Sequence, residues 1–214
     1  MRTLSTRDDT AVLPGITPAS ARFQPESGRG RRPPLAYSLW LAAFPQPEAA
    51  QRIAGTGERL CREHRLNGAL QSPARLHMSL IAIDGGTEAP LQLTVDAALD
   101  AAAGIPSSCR PIRIVFDRAL TFAGSNAFVL RCTVDSDAAV GRLRQMLQWM
   151  LKRRQLRPAP SRTPHMTLMY GARPAVGERA IEPIEWEAQR VALVLSHVGA
   201  THHQWIRQWT LGGG

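Results

Sequence analysis

His77-Met78-Ser79-Leu80 and His165-Met166-Thr167-Leu168 are two copies of one pattern, His-x-[Ser/Thr]-Leu, with one copy in each half of the chain. Both copies lie in short apolar runs that follow a proline, Pro73 and Pro164 respectively. Side chains alternate between the two faces of a β-strand, so residues i and i+2 point the same way. Each copy therefore predicts a strand with an imidazole and a hydroxyl on one face and two apolar side chains on the other.

The sequence around the two copies predicts a similar series of elements in each half. In the first half, a strand-like run at 35–42 is followed by a helical pattern over 48–65. In the second half, strands at 112–116 and 127–134 are followed by a helix over 136–156. Each motif strand thus comes after a helix. This arrangement indicates a pseudo-duplicated α+β fold with two lobes and a groove between them.

Other segments complete the predicted fold. A helical pattern covers 88–103, and strand-like runs at 190–196 and 204–209 predict a closing hairpin. Asn67-Gly68 predicts a turn before the first motif. We expect His202-His203 to lie in a turn as surface residues.

The first 34 residues differ in composition from the rest of the chain. They contain Pro, Gly, Ser and Arg without a sustained apolar period, and they end in Gly-Arg-Gly-Arg-Arg-Pro-Pro at 28–34. We expect residues 1–34 to be a disordered basic extension. Residues 35–214 are expected to form one domain of two lobes, long enough to bury a hydrophobic core.

The charge of the chain is strongly positive. The formal net charge is +9, and every positive residue except Lys152 is an arginine. Arginine suits bidentate recognition of phosphate, and a basic protein attracts polyanions such as RNA. A compositional preference for arginine explains the same observation equally well, so charge alone does not decide the function.

The cysteines and the hydropathy indicate a compartment. Cys61, Cys109 and Cys132 are an odd, scattered set, which favours reduced thiols over disulfides or a metal site. No apolar run is long enough to span a membrane, and the N-terminus lacks the apolar segment of a secretory signal. We therefore expect a cytoplasmic protein that is not bound to a membrane.

The two motif histidines are candidate catalytic residues. An imidazole exchanges protons near neutral pH, so one ring can deprotonate a water that attacks a phosphodiester while the other protonates the leaving oxygen. The hydroxyls of Ser79 and Thr167 can hydrogen-bond a phosphoryl oxygen. A single histidine in a strand is a weak signal, but two copies in corresponding places are much more specific. The sequence has no His-Glu-x-x-His, no Cys-x-x-Cys and no carboxylate cluster beside the motifs, so no metal and no cofactor are expected.

The paired motifs, together with Ser196 and the segment 205–211, resemble the two-histidine (2H) phosphoesterase superfamily. The closest branch is similar to the bacterial RNA 2′,3′-cyclic phosphodiesterases, also called 2′-5′ RNA ligases. The resemblance covers residues 35–211. It implies two lobes related by a pseudo-twofold axis, each an antiparallel sheet with helices outside, and a central groove that holds both motifs.

The resemblance also implies roles for the motif residues. His77 would be the general acid that protonates the leaving ribose oxygen, and His165 the general base that activates water. Ser79 and Thr167 would bind the phosphate. The family reaction opens a 2′,3′-cyclic phosphate to a 2′-phosphomonoester, and some members also join or cleave 2′-5′ RNA linkages.

This sequence departs from the family pattern at Tyr170, where members commonly carry an arginine. A tyrosine can hydrogen-bond or stack on a base, but it brings no charge to the phosphate. Arg75, just before the first motif, is a candidate to replace that charge, and the alternative is an exposed surface arginine. Tyr37, Trp40 and Tyr170 are candidates for base stacking, although Tyr37 and Trp40 suit the core equally well.

The sequence thus predicts a metal-independent cyclic phosphodiesterase that acts on RNA ends, with 2′-5′ RNA ligase activity as an extension. One alternative is the same chemistry on a small cyclic nucleotide or metabolite. Another is a nucleotide- or RNA-binding module without turnover. We expect a monomer with no obligate protein partner.

Overall fold

Two five-stranded antiparallel sheets form the fold, in a computed structural model that describes residues 36–160, 163–197 and 202–212. The predicted basic extension, residues 1–34, lies outside the described residues. The strands are β1 Tyr37–Ala43, β2 Asn67–Leu70, β3 Met78–Gly86, β4 Ile112–Phe122, β5 Ala127–Cys132, β6 Ala159–Pro160, β7 His165–Arg173, β8 Arg179–Ala188, β9 Arg190–His197 and β10 His202–Thr210. The helices are α1 Pro47–Glu63, α2 Gln92–Ala102, α3 Ile105–Ser108 and α4 Val134–Lys152, and a 3₁₀ turn spans Pro73–Arg75.

The two motif strands occupy equivalent places in the two sheets. The first sheet has the order β10-β9-β1-β3-β6, and the second has the order β2-β7-β5-β4-β8. In each sheet the motif strand, β3 or β7, lies between a central strand and a short edge strand. All strand pairs are antiparallel. The predicted α+β class with two antiparallel sheets is confirmed.

Helix α1 forms because its proline and apolar positions agree with helix geometry. Pro47 stands in the first turn, where its missing N–H costs no hydrogen bond. Ile53 and Leu60 are buried on the same face, in the core. Gly57 faces Leu168 of β7, and a Cβ at Gly57 would lie 3.1 Å from its Cδ2 atom. Glycine disfavours helix formation, but at position 57 it lets α1 approach the second motif strand closely.

Helix α4 begins with a side-chain cap and buries an apolar stripe. The backbone N–H of Ser136 donates to Oγ1 of Thr133 across 3.3 Å, which satisfies one of the free donors of the first turn. The buried apolar stripe consists of Val140, Leu143, Leu147 and Leu151. This helix packs against strands of both sheets, so it connects the two lobes behind the motifs.

The structure differs from the sequence prediction at two edge strands. Asn67-Gly68 begins β2 instead of forming only a turn, and β2 pairs with β7. A Cβ at Gly68 would come 2.6 Å from the carbonyl oxygen of Tyr170, so glycine permits this close pairing. No sequence pattern indicated β8, which pairs with β4. Both strands are largely exposed, and exposed edge strands lack the alternating apolar pattern that makes a strand recognisable.

The main core joins residues of both sheets and of the helices. A second, smaller cluster lies on the other face of the first sheet and contains Trp40, Ala42, Phe44, Ala192 and Val194. Because side chains alternate along β1, Leu39 and Leu41 point into the main core while Trp40 and Phe44 point toward the motif histidine. In the described parts of the chain, no helix is long and apolar enough to cross a membrane.

Candidate active site

The two motif strands show the predicted alternation. In the first motif Met78 and Leu80 are buried, while Ser79 is half-buried. In the second motif Met166 and Leu168 are buried, while Thr167 is half-buried. Both histidines, His77 just before β3 and His165 at the start of β7, are half-buried on the hydroxyl side of their strands. Each motif therefore presents its imidazole and hydroxyl away from the main core.

The two imidazole rings are held by matching hydrogen bonds. Nδ1 of His77 lies 2.8 Å from the carbonyl oxygen of Arg75, and Nδ1 of His165 lies 2.8 Å from that of Thr163. A carbonyl oxygen only accepts, so Nδ1 of each ring carries the proton. In the neutral ring the lone pair then stays on Nε2. Both histidines thus use the same local geometry to present Nε2 for proton transfer.

The environment of His77 disfavours its charged form. Burial lowers the pKa of His77 from 6.5 to about 4, and the hydrogen bond to the Arg75 carbonyl opposes this shift only in part. The positive charges of His203, His165 and Arg75 contribute to the same lowering of the pKa. Since His165 acts on His77 in this way, the two motif imidazoles lie within electrostatic reach of each other.

His165 lies in a similar environment. Burial lowers its pKa, the hydrogen bond to the Thr163 carbonyl opposes this, and the charges of Arg144 and Arg131 lower it further. Arg131 is directly opposite His165 in the β5–β7 pair, so both side chains lie on the same face of the second sheet. Arg131 also forms an ion pair with Asp137 of α4 at 3.3 Å.

Arg144 of α4 is a buried cation next to the first motif strand. It is only 5% exposed, and its Nη2 donates to the carbonyl oxygen of Ser79 across 2.7 Å. Burial lowers the pKa of Arg144, and the neighbouring Cys132 and Asp137 oppose the shift. An arginine stays charged in a protein. This one therefore fixes the first motif strand and places positive charge near the second motif histidine.

Aromatic rings surround both histidines. The ring centroid of His77 lies 4.7 Å from that of Trp40, 5.8 Å from that of Phe44 and 5.7 Å from that of His203. The ring of His165 meets the ring of Phe122 edge-on, with centroids 5.0 Å apart. These contacts limit ring rotation and reduce hydration of the imidazoles, which agrees with their lowered pKa values.

Of the predicted substrate-binding residues, Arg75 and Tyr170 lie near the motifs. Arg75 is half-buried, and its charge reaches His77. In the β5–β7 pair, Thr167 is opposite Val129 and Met169 is opposite Phe128, so β7 has one extra residue between them. Such a bulge reverses the alternation, and it places Tyr170 on the same face as Thr167. Tyr170 is 38% exposed.

Tyr37 lies elsewhere. It occupies the face of β1 opposite to Trp40, and its ring meets that of His197 with centroids 5.0 Å apart. The structure does not bring it to either motif histidine. The sequence allowed Trp40 to be either a core residue or a base-stacking residue, and in the structure its ring contacts that of His77.

Several residues of the site were not identified from the sequence. His203 was expected in a surface turn, which is wrong, because it lies in β10, half-buried, with its ring against His77. No local sequence pattern identifies Arg131, Arg144 or Phe122 as residues of the site, because their places beside the motifs depend on strand register and on helix packing. Within the described residues, no three His, Cys, Asp or Glu side chains are grouped to hold a metal ion.

Comparison with known proteins places this geometry in a family. Residues 44–200 match the sequence pattern of the 2′-5′ RNA ligase superfamily. The chain belongs to this superfamily. The resemblance to the 2H phosphoesterases, inferred from the two motifs, is thereby confirmed. The chain has no significant match among curated protein sequences.

The fold of this superfamily member is similar to several solved structures. The crystal structure of LigT from E. coli in its apo form has 18% sequence identity and a TM-score of 0.62, with 81% of this chain and 96% of LigT covered. The protein TT0787 of Thermus thermophilus has 18% identity and a TM-score of 0.61, with 82% and 98% covered. A phosphoesterase has 19% identity and a TM-score of 0.60, with 81% and 98% covered. LigT has also been solved in complex with 3′-AMP and with phosphate.

Proposed function

We propose that this superfamily member hydrolyses a 2′,3′-cyclic phosphodiester at an RNA end to a 2′-phosphomonoester. The observation that carries the proposal is the matched pair of imidazoles. His77 and His165 each donate through Nδ1 to the carbonyl two residues earlier, and the charge of His165 acts on His77. A phosphodiester bound between the two Nε2 atoms would have a proton acceptor on one side and a proton donor on the other.

In the proposed reaction His165 is the general base and His77 the general acid. Nε2 of His165 takes a proton from water as the water oxygen attacks phosphorus. The bond from phosphorus to the ribose O3′ breaks, and Nε2 of His77 gives its proton to that oxygen. One water is consumed, and the products are a 2′-phosphate and a free 3′-hydroxyl. Each proton transfer by a positioned group typically contributes about 10²- to 10⁴-fold.

The hydroxyls of Ser79 and Thr167 are proposed to hold the non-bridging phosphoryl oxygens. Each hydroxyl lies two residues after its histidine, on the same face of its strand. A donor placed where negative charge develops stabilises the transition state more than the ground state. Arg144 supports this role from behind, because its bond to the Ser79 carbonyl fixes the strand that carries the first hydroxyl.

His77 must be protonated to act as a general acid, and a bound phosphate would favour its protonation. In the free protein the pKa of His77 is about 4, so the ring is neutral near pH 7. A bound phosphodiester anion opposes the positive charges of Arg75, His165 and His203 and favours the protonated ring. Protonation of His77 would thus accompany substrate binding.

Several features support a nucleotide as the substrate. The net charge of +9 favours RNA, and Trp40, Phe44 and Tyr170 offer rings on the groove side. The similar protein LigT binds 3′-AMP and phosphate. The same step with the 5′-hydroxyl of a second RNA end in place of water would form a bond from that oxygen to phosphorus while the bond to O3′ breaks, so 2′-5′ ligation of a cyclic end is proposed as a secondary activity. Every step uses side chains of this chain alone, and we propose that it acts as a cytoplasmic monomer.

A small cyclic nucleotide is the second candidate substrate. The observation that favours it is the partly exposed Tyr170. A tyrosine offers a hydrogen bond or a stacking surface, whereas an arginine at this position would add a positive charge that attracts a polyanion. The catalytic step would be the same, and only the preference between oligomer and mononucleotide would change.

The test is hydrolysis of an RNA oligomer with a 2′,3′-cyclic phosphate end, in EDTA, beside 2′,3′-cyclic AMP. His165→Ala is the catalytic control, and His64→Ala, whose ring contacts Phe128 of β5, is the matched variant outside the site. We expect turnover in the parent chain and in His64→Ala but not in His165→Ala, with the oligomer preferred. Preference for the mononucleotide would support the second candidate. Tight binding of both ligands without turnover would point to a binding module and contradict the proposed reaction.

A further inference from the structure

His203 is a third imidazole beside the two motif histidines. It lies in β10, opposite Ser196 of β9, and its ring is half-buried. Its ring centroid is 5.7 Å from that of His77 and 5.5 Å from that of Trp40, in both cases nearly at right angles. Trp40 contacts both imidazoles, so the three rings form one cluster on the face of the first sheet that points away from the main core.

The charges that act on His77 within this cluster are positive. Those that act on His77 belong to His203 on β10, His165 on β7 and Arg75 in the 3₁₀ turn, and all three disfavour its protonation. Ser196, opposite His203 on the neighbouring strand, is not ionisable. A site where ionisable imidazoles and an arginine converge is complementary to an anion.

We propose that His203 is a third ionisable residue of the active site and that its protonated form helps to hold the substrate phosphate beside His77. This proposal rests on the proposed function for the identity of the substrate. It adds a group that the two motifs do not contain and that reaches the site from the C-terminal strand.

A cationic His203 would act in two ways. Its charge attracts the phosphate anion into the groove, and its ring nitrogen can donate a hydrogen bond to a phosphoryl oxygen. It also keeps His77 neutral until the anion arrives, since two adjacent positive charges repel each other. Imidazole changes its charge between about pH 5 and pH 8, so this contribution should be large at acid pH and small at alkaline pH.

The experiment is calorimetric titration with inorganic phosphate at pH 5.5 and pH 8.5, for the parent chain, His203→Phe and His197→Phe. Phenylalanine keeps an aromatic ring against Trp40 and His77 but removes the charge. His197 lies on the neighbouring strand of the same sheet, and its ring contacts Tyr37, so it is the matched control. The ionisation of phosphate affects every variant alike, so the ratio of variant to parent affinity is the readout.

We expect His203→Phe to weaken phosphate binding about tenfold at pH 5.5, as for the loss of one charge-assisted hydrogen bond, and less than about twofold at pH 8.5. His197→Phe should match the parent at both pH values. With the cyclic substrate at pH 5.5, His203→Phe should raise KM by a similar factor and leave kcat within about threefold.

Two results would overturn the proposal. One is unchanged phosphate affinity of His203→Phe at pH 5.5. The other is an equal loss at both pH values, which would indicate ring packing instead of charge. If His203→Phe does not fold, His203→Gln keeps a hydrogen-bond donor without the charge and should show the same pH pattern. Failure of both variants to fold would assign His203 a structural role. Phosphate binding requires no turnover, so this test is independent of whether cyclic phosphates are hydrolysed.

Discussion

Arg144 of α4 donates a hydrogen bond to the backbone carbonyl oxygen of Ser79 across 2.7 Å. A side chain of α4 thereby holds the strand of the first motif. The same charge lowers the pKa of His165 in the second motif. One buried cation is thus connected with both motifs, which come from opposite halves of the chain. Arg144 therefore holds the strand of the first motif and adds positive charge near the histidine of the second.

Replacing Arg144 should damage both stability and catalysis. Arg144→Met leaves the Ser79 carbonyl without its donor and removes one of the positive charges near Asp137, and we expect a loss of about 1–3 kcal/mol in the free energy of unfolding. Removal of the charge should also raise the pKa of His165. Urea denaturation and the pH dependence of kcat/KM measure the two effects. Arg144→Lys keeps the charge and should retain the pH profile while losing part of the stability.

Replacement of either motif histidine should remove most of the hydrolysis. We expect His77→Ala and His165→Ala each to lower kcat about 10²- to 10⁴-fold, because each removes one proton-transfer group. Both rings are half-buried on the side of their strands that faces away from the main core, so both variants should keep the circular dichroism spectrum of the parent. His64→Ala is the control with near-parental activity. A parental rate in either motif variant would exclude that histidine from the mechanism.

The motif histidines were recognisable in the sequence because the signal is local and repeated. A strand with one face in a core shows alternation, and β3 and β7 both show it around a His-x-[Ser/Thr] pair. Arg131 lies in an equally clear strand, but its position opposite His165 depends on the register between β5 and β7, which the sequence does not reveal. His203 lies in a polar stretch without alternation, and only the pairing of β10 with β9 brings it to the site.

The stability of the protein should decrease at acid pH because of His77. Its pKa is about 4 in the folded protein and near the ordinary 6.5 when unfolded, so the unfolded state binds more protons between these values. The free energy of unfolding therefore falls as pH decreases from 6.5 to 4, by roughly 2–3 kcal/mol from this residue. The lowered pKa of His165 acts in the same direction.

Urea denaturation at pH 7 and at pH 4 tests this contribution. Carboxylates also titrate near pH 4, so the comparison is between variants. His77→Asn should lose roughly 2 kcal/mol less stability over this range than the parent, because the residue that resists protonation is absent. His64→Asn should lose as much as the parent. An identical pH dependence of all three proteins would contradict the lowered pKa of His77.

Substitutions of Tyr170 should change the substrate preference between an RNA end and a small nucleotide. The bulge in β7 puts its side chain on the face of Thr167, so Tyr170→Arg would bring a positive charge toward the bound phosphate. We expect kcat/KM for the cyclic oligomer to rise about 3- to 10-fold at low ionic strength, and the gain to shrink as salt screens the charge. Leu93→Arg adds the same charge on the exposed surface of α2 and is the matched control. Tyr170→Ala should instead raise KM for 2′,3′-cyclic AMP by about tenfold if the ring stacks on the base. Equal effects of Tyr170→Arg and Leu93→Arg would mean that only net charge matters, and that Tyr170 does not face the phosphate.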